Sequence, residues 1–134
     1  GKLAYTYNFL GLRYFDVLSE SCLPAGNHQV RMEFAYDGNN PRADLGRGGM
    51  VTLYVDGEQV VAGRVERTVP GSFSLVETLD LGEDTGTPVS ENYKPVKNRF
   101  NGCIEWAQID TGPLDPELHM LEQHLQLSVA LGTQ

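Results

Sequence analysis

The chain has little cysteine, little positive charge and no long apolar run, and each shortage narrows what it can be. Only two cysteines, Cys22 and Cys103, occur in 134 residues. They lie far apart and lack the paired spacing of a zinc site or a redox couple. A disulfide between them is one reading; two buried free thiols is the preferred one, because unpaired cysteine behaves as a small hydrophobe. Lys and Arg number 10 against 18 Asp and Glu, for a formal charge of −8, and no local cluster of basic residues offsets that balance. Such a surface repels phosphate backbones and anionic lipid, which argues against nucleic acid and membrane as partners. No stretch approaches the ~20 apolar residues that span a bilayer. The first residues follow a strand pattern, not that of a signal peptide. Internal repeats and low-complexity tracts are also missing.

What is present is enough for one domain, residues 1–134, able to bury a core without metal or disulfide. Opening on Gly1-Lys2 already inside a strand pattern, the chain reads as the excised C-terminal part of a longer one. Its compartment stays open. The most informative tract is Gly49 to Val65. Val51, Leu53 and Val55 alternate with Thr52 and Tyr54, the period of a half-buried strand. Asp56-Gly57 suits a two-residue hairpin turn with positive φ, and a second β-rich run follows. A plain two-residue loop sets Leu53 opposite Val60 and Val51 opposite Ala62.

Further strands are expected. Leu3, Tyr5, Tyr7 and Phe9 alternate with smaller residues, and a less regular run covers Leu12 to Leu18. His28 to Tyr36 is the cleanest strand, with Val30, Met32, Phe34 and Tyr36 on one face and Gln29, Arg31 and Glu33 toward water. Ser72 to Leu81 reads as another. Phe100 to Asp110 reads as a last strand, with Ile104 and Trp106 sharing a face. Asp37 to Gly49 and Gly82 to Asn98 are the long loops. Asp115-Pro116-Glu117 is a helix start, and Leu118, Leu121, Leu125 and Val129 recur at helical spacing, with the helix favoured through His124. Residues 125–131 also alternate, so helix and strand both remain open there. The fold class is therefore all-β, an antiparallel two-sheet sandwich of the jelly-roll or concanavalin-like kind, with a short C-terminal helix. Phe34, Leu53 and Trp106 are expected in its core.

Candidate chemistry is sparse. Cys22-Leu-Pro-Ala-Gly26 is similar to the sulfatase nucleophile motif Cys-x-Pro-x-Arg, but Gly26 stands where the sulfate-binding arginine belongs. The segment reads as a turn between strands. His28 stands at the mouth of a strand and is expected to hydrogen-bond a turn; His119 and His124 are off the spacing that shares a ligand on a helix. No catalytic residue is assigned. Asp80, Glu83 and Asp84 supply the hard oxygens that calcium prefers. The favoured reading is an acidic turn in which Asp84 accepts from amides between Gly82 and Gly86 and Asp80 caps the strand end. The aromatics Tyr5, Tyr7, Phe9, Phe34, Tyr36, Tyr54 and Trp106 would suit a carbohydrate-binding face, yet on alternating strands they read as packing.

Taken together, the phrases Tyr5-x-Tyr-Asn8-Phe-x-Gly11, Leu23-Pro-Ala-Gly26-x-His28-x-Val30-x-x-x-Phe34-x-Tyr36-Asp37-Gly38 and Gly49-x-x-x-Leu53-Tyr-Val-Asp56-Gly57 resemble the C-terminal β-sandwich domain of large bacterial arylsulfatases. So do Phe73-Ser, Glu77, Asp80-x-Gly82-x-Asp84-x-Gly86-x-Pro88-Val89-x-x-x-Tyr93 and Phe100-x-Gly102-x-Ile104. The resemblance implies an accessory domain packed on a preceding catalytic domain that holds the formylglycine and calcium. It implies no catalytic residue in this chain. A lectin-like or laminin-G-like carbohydrate-binding module is the alternative. On the accessory reading, the purified chain hydrolyses no chromogenic aryl sulfate with or without calcium. Turnover that disappears in Cys22→Ala would overturn it.

Overall fold

The computed structural model describes residues 1–38, 44–70 and 79–111, and these form an all-β chain of two antiparallel sheets. Strands β1 (Lys2–Phe9) and β2 (Arg13–Cys22) make a two-stranded sheet; β3 (Val30–Tyr36), β4 (Arg47–Val55) and β5 (Glu58–Arg67) make a three-stranded one in the order β3-β4-β5. Among the described residues there is no helix, and no helix is long and apolar enough to cross a membrane. The expected helix from Asp115, the 125–131 segment, His119, His124 and most of the expected strand from Ser72 lie outside the described residues.

Alternation builds the core. On β2, Phe15, Val17 and Ser19 are buried while Asp16, Leu18 and Glu20 are exposed, so one face of that sheet turns inward. Val51 and Leu53 of β4 and Val65 of β5 meet Phe15 and Val17, with Leu3, Tyr5, Tyr7, Phe9 and Val61 packed around them. Val51 is fully buried. Burial drives the Tyr5 hydroxyl toward a higher pKa, with the neighbouring Tyr7 adding to the effect, because desolvation disfavours the phenolate. The two sheets meet where β2 crosses β5. A side chain on Gly63 would place its Cβ only 2.6 Å from a methyl of Val17, so glycine is what lets Val17 sit directly on β5. Arg13 and Glu66 form a 2.8 Å ion pair across the same contact, and the Val69 amide donates to the Tyr7 hydroxyl at 2.8 Å.

The β4–β5 hairpin has the expected Asp56-Gly57 turn, with φ of 51° and 87° and Val55 opposite Glu58. Its register differs from the plain hairpin. Tyr54 faces Gln59 but Leu53 faces Val61 and Val51 faces Gly63, with an irregularity between Leu53 and Tyr54. Val60 is the extra residue of a β-bulge. The physical reason is burial: a one-residue slip exchanges the two faces of a strand. Without the bulge, Val60, Ala62 and Arg64 would face inward; with it, Val61, Gly63 and Val65 do.

Two core expectations are corrected. Val30, Met32, Phe34 and Tyr36 do pair with Val55, Leu53, Val51 and Gly49 and so share their face, but Phe34 is 37% exposed. The covering sheet packs through β2 on β5, at the opposite edge from β3. Residues 100–110 form no strand, and Trp106 is 61% exposed. An apolar alternation becomes a strand only where a neighbouring edge takes up its backbone groups, and no described strand pairs with this run. Arg47 to Gly49 belong to β4 and not to the loop before it, because their partners on β5 and β3 are in reach.

Denaturant unfolding of the chain should therefore separate three sites. Leu53→Ala is expected to cost about 2–5 kcal/mol and Gly63→Ala about 1–3 kcal/mol by forcing Val17 off β5. Trp106→Ala should stay within about 0.5 kcal/mol of the parent. Equal losses at Leu53 and Trp106 would show that the core is elsewhere.

Candidate functional site

The acidic tract singled out by sequence forms one wall of an open concavity of about 940 Å³ lined by Asp80, Glu83, Asp84, Tyr93, Asn98 and Phe100 among others. Glycine and aspartate here keep the chain from forming regular structure, and side chains take over the backbone pairing. Asp80 Oδ2 accepts from the Thr85 amide at 2.7 Å and from its hydroxyl at 2.9 Å. Asp84 Oδ1 accepts from the Gly86 amide at 3.1 Å, and Oδ2 accepts from the Tyr93 hydroxyl. Tyr93 in turn accepts from the Val89 amide at 2.9 Å. Asn98 closes the loop from the other side: its Oδ1 accepts from the Asp84 amide, and its Nδ2 donates to the Asp84 carbonyl. The Phe100 amide donates to the Gly82 carbonyl.

These bonds set the electrostatics. The Thr85 amide, and then its hydroxyl, hold the Asp80 carboxyl below its ordinary range. Desolvation, and then the Asp84 carboxylate, push the Tyr93 hydroxyl up. The Asp84–Gly86 bond matches the expected turn; Asp80 binds Thr85 where a strand-end cap was expected. Among the described residues no His, Cys, Asp and Glu converge as a metal-holding group. The N–H and O–H donors bound to Asp80 and Asp84 show these carboxylates organising the loop's own backbone. Sequence reasoning missed Asn98, the latch of the loop, because its partner Asp84 is remote in sequence and Asn within a turn-rich tract is unremarkable locally.

A second polar cluster stands at the hairpin end. His28 Nδ1 lies 2.7 Å from Asp56 Oδ2, the Gln29 amide donates to Asp56 Oδ1 at 2.9 Å, and the Asp56 amide donates to the Gln29 carbonyl at 2.8 Å. His28 thus binds a turn, as its position at a strand mouth suggests. The His28 side chain first, and the Gln29 amide second, hold the Asp56 carboxyl below its ordinary range. The other ring nitrogen, Nε2, is shielded from solvent without a hydrogen-bond partner among the described residues. The pair clasps the entry of β3 to the β4–β5 turn.

Cys22 and Cys103 are both free and exposed, which corrects the buried-thiol expectation. Cys22 is the last residue of β2, at a sheet end, and Cys103 falls in the unladdered run after Phe100. Cys22 lines a smaller cleft of about 300 Å³ with Leu3, Ser19, Pro24, Val55 and Val60. Ser19 there is fully engaged, accepting from the Leu3 amide and donating to the Ser21 carbonyl. Comparison of the chain with protein-family models, curated proteins and solved structures gives no match.

Two measurements follow from the carboxylates. Asp56 and Asp80 have folded pKa values below those of the unfolded chain, so the unfolded state binds more protons. Their stabilisation is complete above the ordinary aspartate value and falls away as pH drops from about 4 through the depressed folded values. Thermal melts over that range should lose midpoint more steeply in the parent than in Asp56→Asn; identical slopes would exclude the clasp. Millimolar calcium should leave the melting midpoint almost unchanged. A saturable rise abolished by Asp84→Asn would instead establish a cation site, since a ligand at a hundredfold excess over Kd contributes about 2.7 kcal/mol.

Proposed function

We propose that the chain is a non-catalytic accessory domain on the C-terminal side of an arylsulfatase, a sulfuric ester hydrolase. In this reading it is a two-sheet sandwich of jelly-roll or concanavalin-like type that packs on the catalytic domain of the same polypeptide. Its work is to support that domain's structure or its access to substrate. The observation that carries the reading is the stretch after the acidic cleft. Phe100, Ile104, Trp106 and Ile109 are all exposed, by 41–70%, on a run that pairs with no described strand. Several large apolar side chains held on one extended, unladdered segment are what a partner surface requires. The resemblance of the strand and turn phrases to arylsulfatase C-terminal domains supplies the identity of that partner. The acidic balance of the chain suits protein or sugar contacts better than phosphate ones.

Trp106 is the only tryptophan, which makes the docking directly measurable. The reading frame upstream of Gly1 should encode Cys-x-Pro-x-Arg or Ser-x-Pro-x-Arg, and its product should be added to this domain in trans. Binding is expected to protect Trp106 from acrylamide quenching and to raise the melting temperature of the catalytic part. Trp106→Ala and Ile109→Ala should each weaken that effect while leaving the isolated domain folded. An upstream product that is equally stable without the domain, with Trp106 equally quenched, would overturn the proposal. Saturable glycan binding at the Tyr93–Phe100 cleft, with Trp106 unaffected, would favour the lectin-like alternative.

A further inference from the structure

Among the described residues strand β3 is an edge of its sheet, with hydrogen-bonding groups directed away from β4 and apolar side chains that are partly exposed. Its ladder with β4 is bracketed by two bonds, the Asp37 amide to the Gly48 carbonyl at 3.0 Å and the Asp56 amide to the Gln29 carbonyl at 2.8 Å. These fix the parity of an antiparallel pair. Odd-numbered residues from 29 to 37 address β4, so the N–H and C=O of Val30, Met32, Phe34 and Tyr36 point away from the sheet. No described strand takes them up. The side chains of the same four residues are 37–51% exposed. Proteins blunt such an edge with charged side chains, proline or a bulge; β3 has no proline, its register with β4 is unbroken, and its two charges, Arg31 and Glu33, are of opposite sign.

We propose that this edge is a self-pairing surface, joining β3 of two copies of the chain antiparallel about a two-fold axis at Met32. Backbone parity and charge select the occupant together. Since outward groups belong to even residues, even must face even across the axis. Centring on Met32 sets Met32 opposite the partner's Met32 and Val30 opposite the partner's Phe34, which continues the apolar face across the junction. On the other face it sets Arg31 opposite the partner's Glu33, and Glu33 opposite the partner's Arg31, so opposite charges meet twice. Arg31 and Glu33 already form an ion pair along β3, so the junction gathers four charges of alternating sign. Centring on Glu33 would oppose like charges. Centring on Phe34 would bring Arg31 to the partner's Asp37, whose carboxylate already holds Arg64. An isologous contact of this kind closes at two copies and leaves no further free edge on β3. The inference is independent of the accessory role proposed above.

The test is sedimentation equilibrium of the full chain over a concentration series, with two charge reversals. The parent is expected to dimerise. Arg31→Glu alone sets two carboxylates against each other at each end of the junction, and Glu33→Arg alone sets two guanidinium groups there. Each should raise the dimer dissociation constant by about tenfold or more. Mixing the two variants should restore association as a heterodimer, because each then meets its opposite charge; a purely structural defect would not be rescued by mixing. Circular dichroism melts confirm that each variant is folded. Met32→Pro, which removes one outward N–H at an edge position where proline is tolerated, should also abolish the dimer. A parent that stays monomeric at every concentration overturns the proposal. In that case, protected amides at Val30, Met32, Phe34 and Tyr36 in hydrogen exchange would assign the edge to residues of the same chain outside those described. A dimer that survives both reversals, or variants that do not rescue each other, overturns it as well.

Discussion

The seat of Val17 on Gly63 is the contact on which the rest of the fold depends. Neither sheet is large enough to stand alone: a two-stranded ribbon is marginal in water, and a three-stranded sheet needs its apolar face covered. The contact brings them together at the one point where β5 has no side chain in the way. Around it the buried set of Phe15, Val17, Val51, Leu53 and Val65 forms a single cluster drawn from both sheets. The Arg13–Glu66 ion pair and the Tyr7–Val69 hydrogen bond flank that cluster. Both members of the ion pair are half exposed, so it orients the sheets more than it stabilises them. Burial supplies the energy, and glycine permits the approach.

From this seat the placement of the polar regions follows. Because β2 covers β5, one side of the core-facing sheet is shielded and the β3 side is not. The His28–Asp56 clasp holds the start of β3 to the hairpin turn, at the end where the sheet would otherwise fray. The Asp80 to Asn98 loop is organised by its own side chains, with the Asp84–Asn98–Tyr93 network standing in for a ladder. Such a loop keeps its shape without a strand on either side, since side chains within it take up its backbone groups. Two of the carboxylates that wall its cleft, Asp80 and Asp84, thereby serve the loop's own backbone.

Much of the strand layout was legible in the sequence, because strands whose side chains alternate declare their inward face. Leu3 to Phe9, Val30 to Tyr36 and Met50 to Val55 are cases in point, and Asp56-Gly57 announced its turn through residues that tolerate positive φ. The Asp84–Gly86 bond and the binding of His28 to a turn were also readable, since both depend on side chains close to the backbone they serve. The bulge at Val60 was not. Its cause is the need to place Val65 inside and Arg64 outside, and that need exists only once a second sheet lies across β5. Asn98 was equally silent, because its partner is set by the path of the whole loop.

For the described residues the sequence alone determined the all-β class, the Asp56-Gly57 turn and the acidic charge balance, because these are properties of local composition and period. The tertiary structure decided which apolar residues are buried. Phe34 and Trp106 carry the same apolar character as Leu53, yet only Leu53 lies where β2 reaches over β4 and β5. Hydrophobicity marks a residue that gains by burial; whether it is buried depends on which surface arrives to cover it, and that surface is contributed by residues distant in the chain.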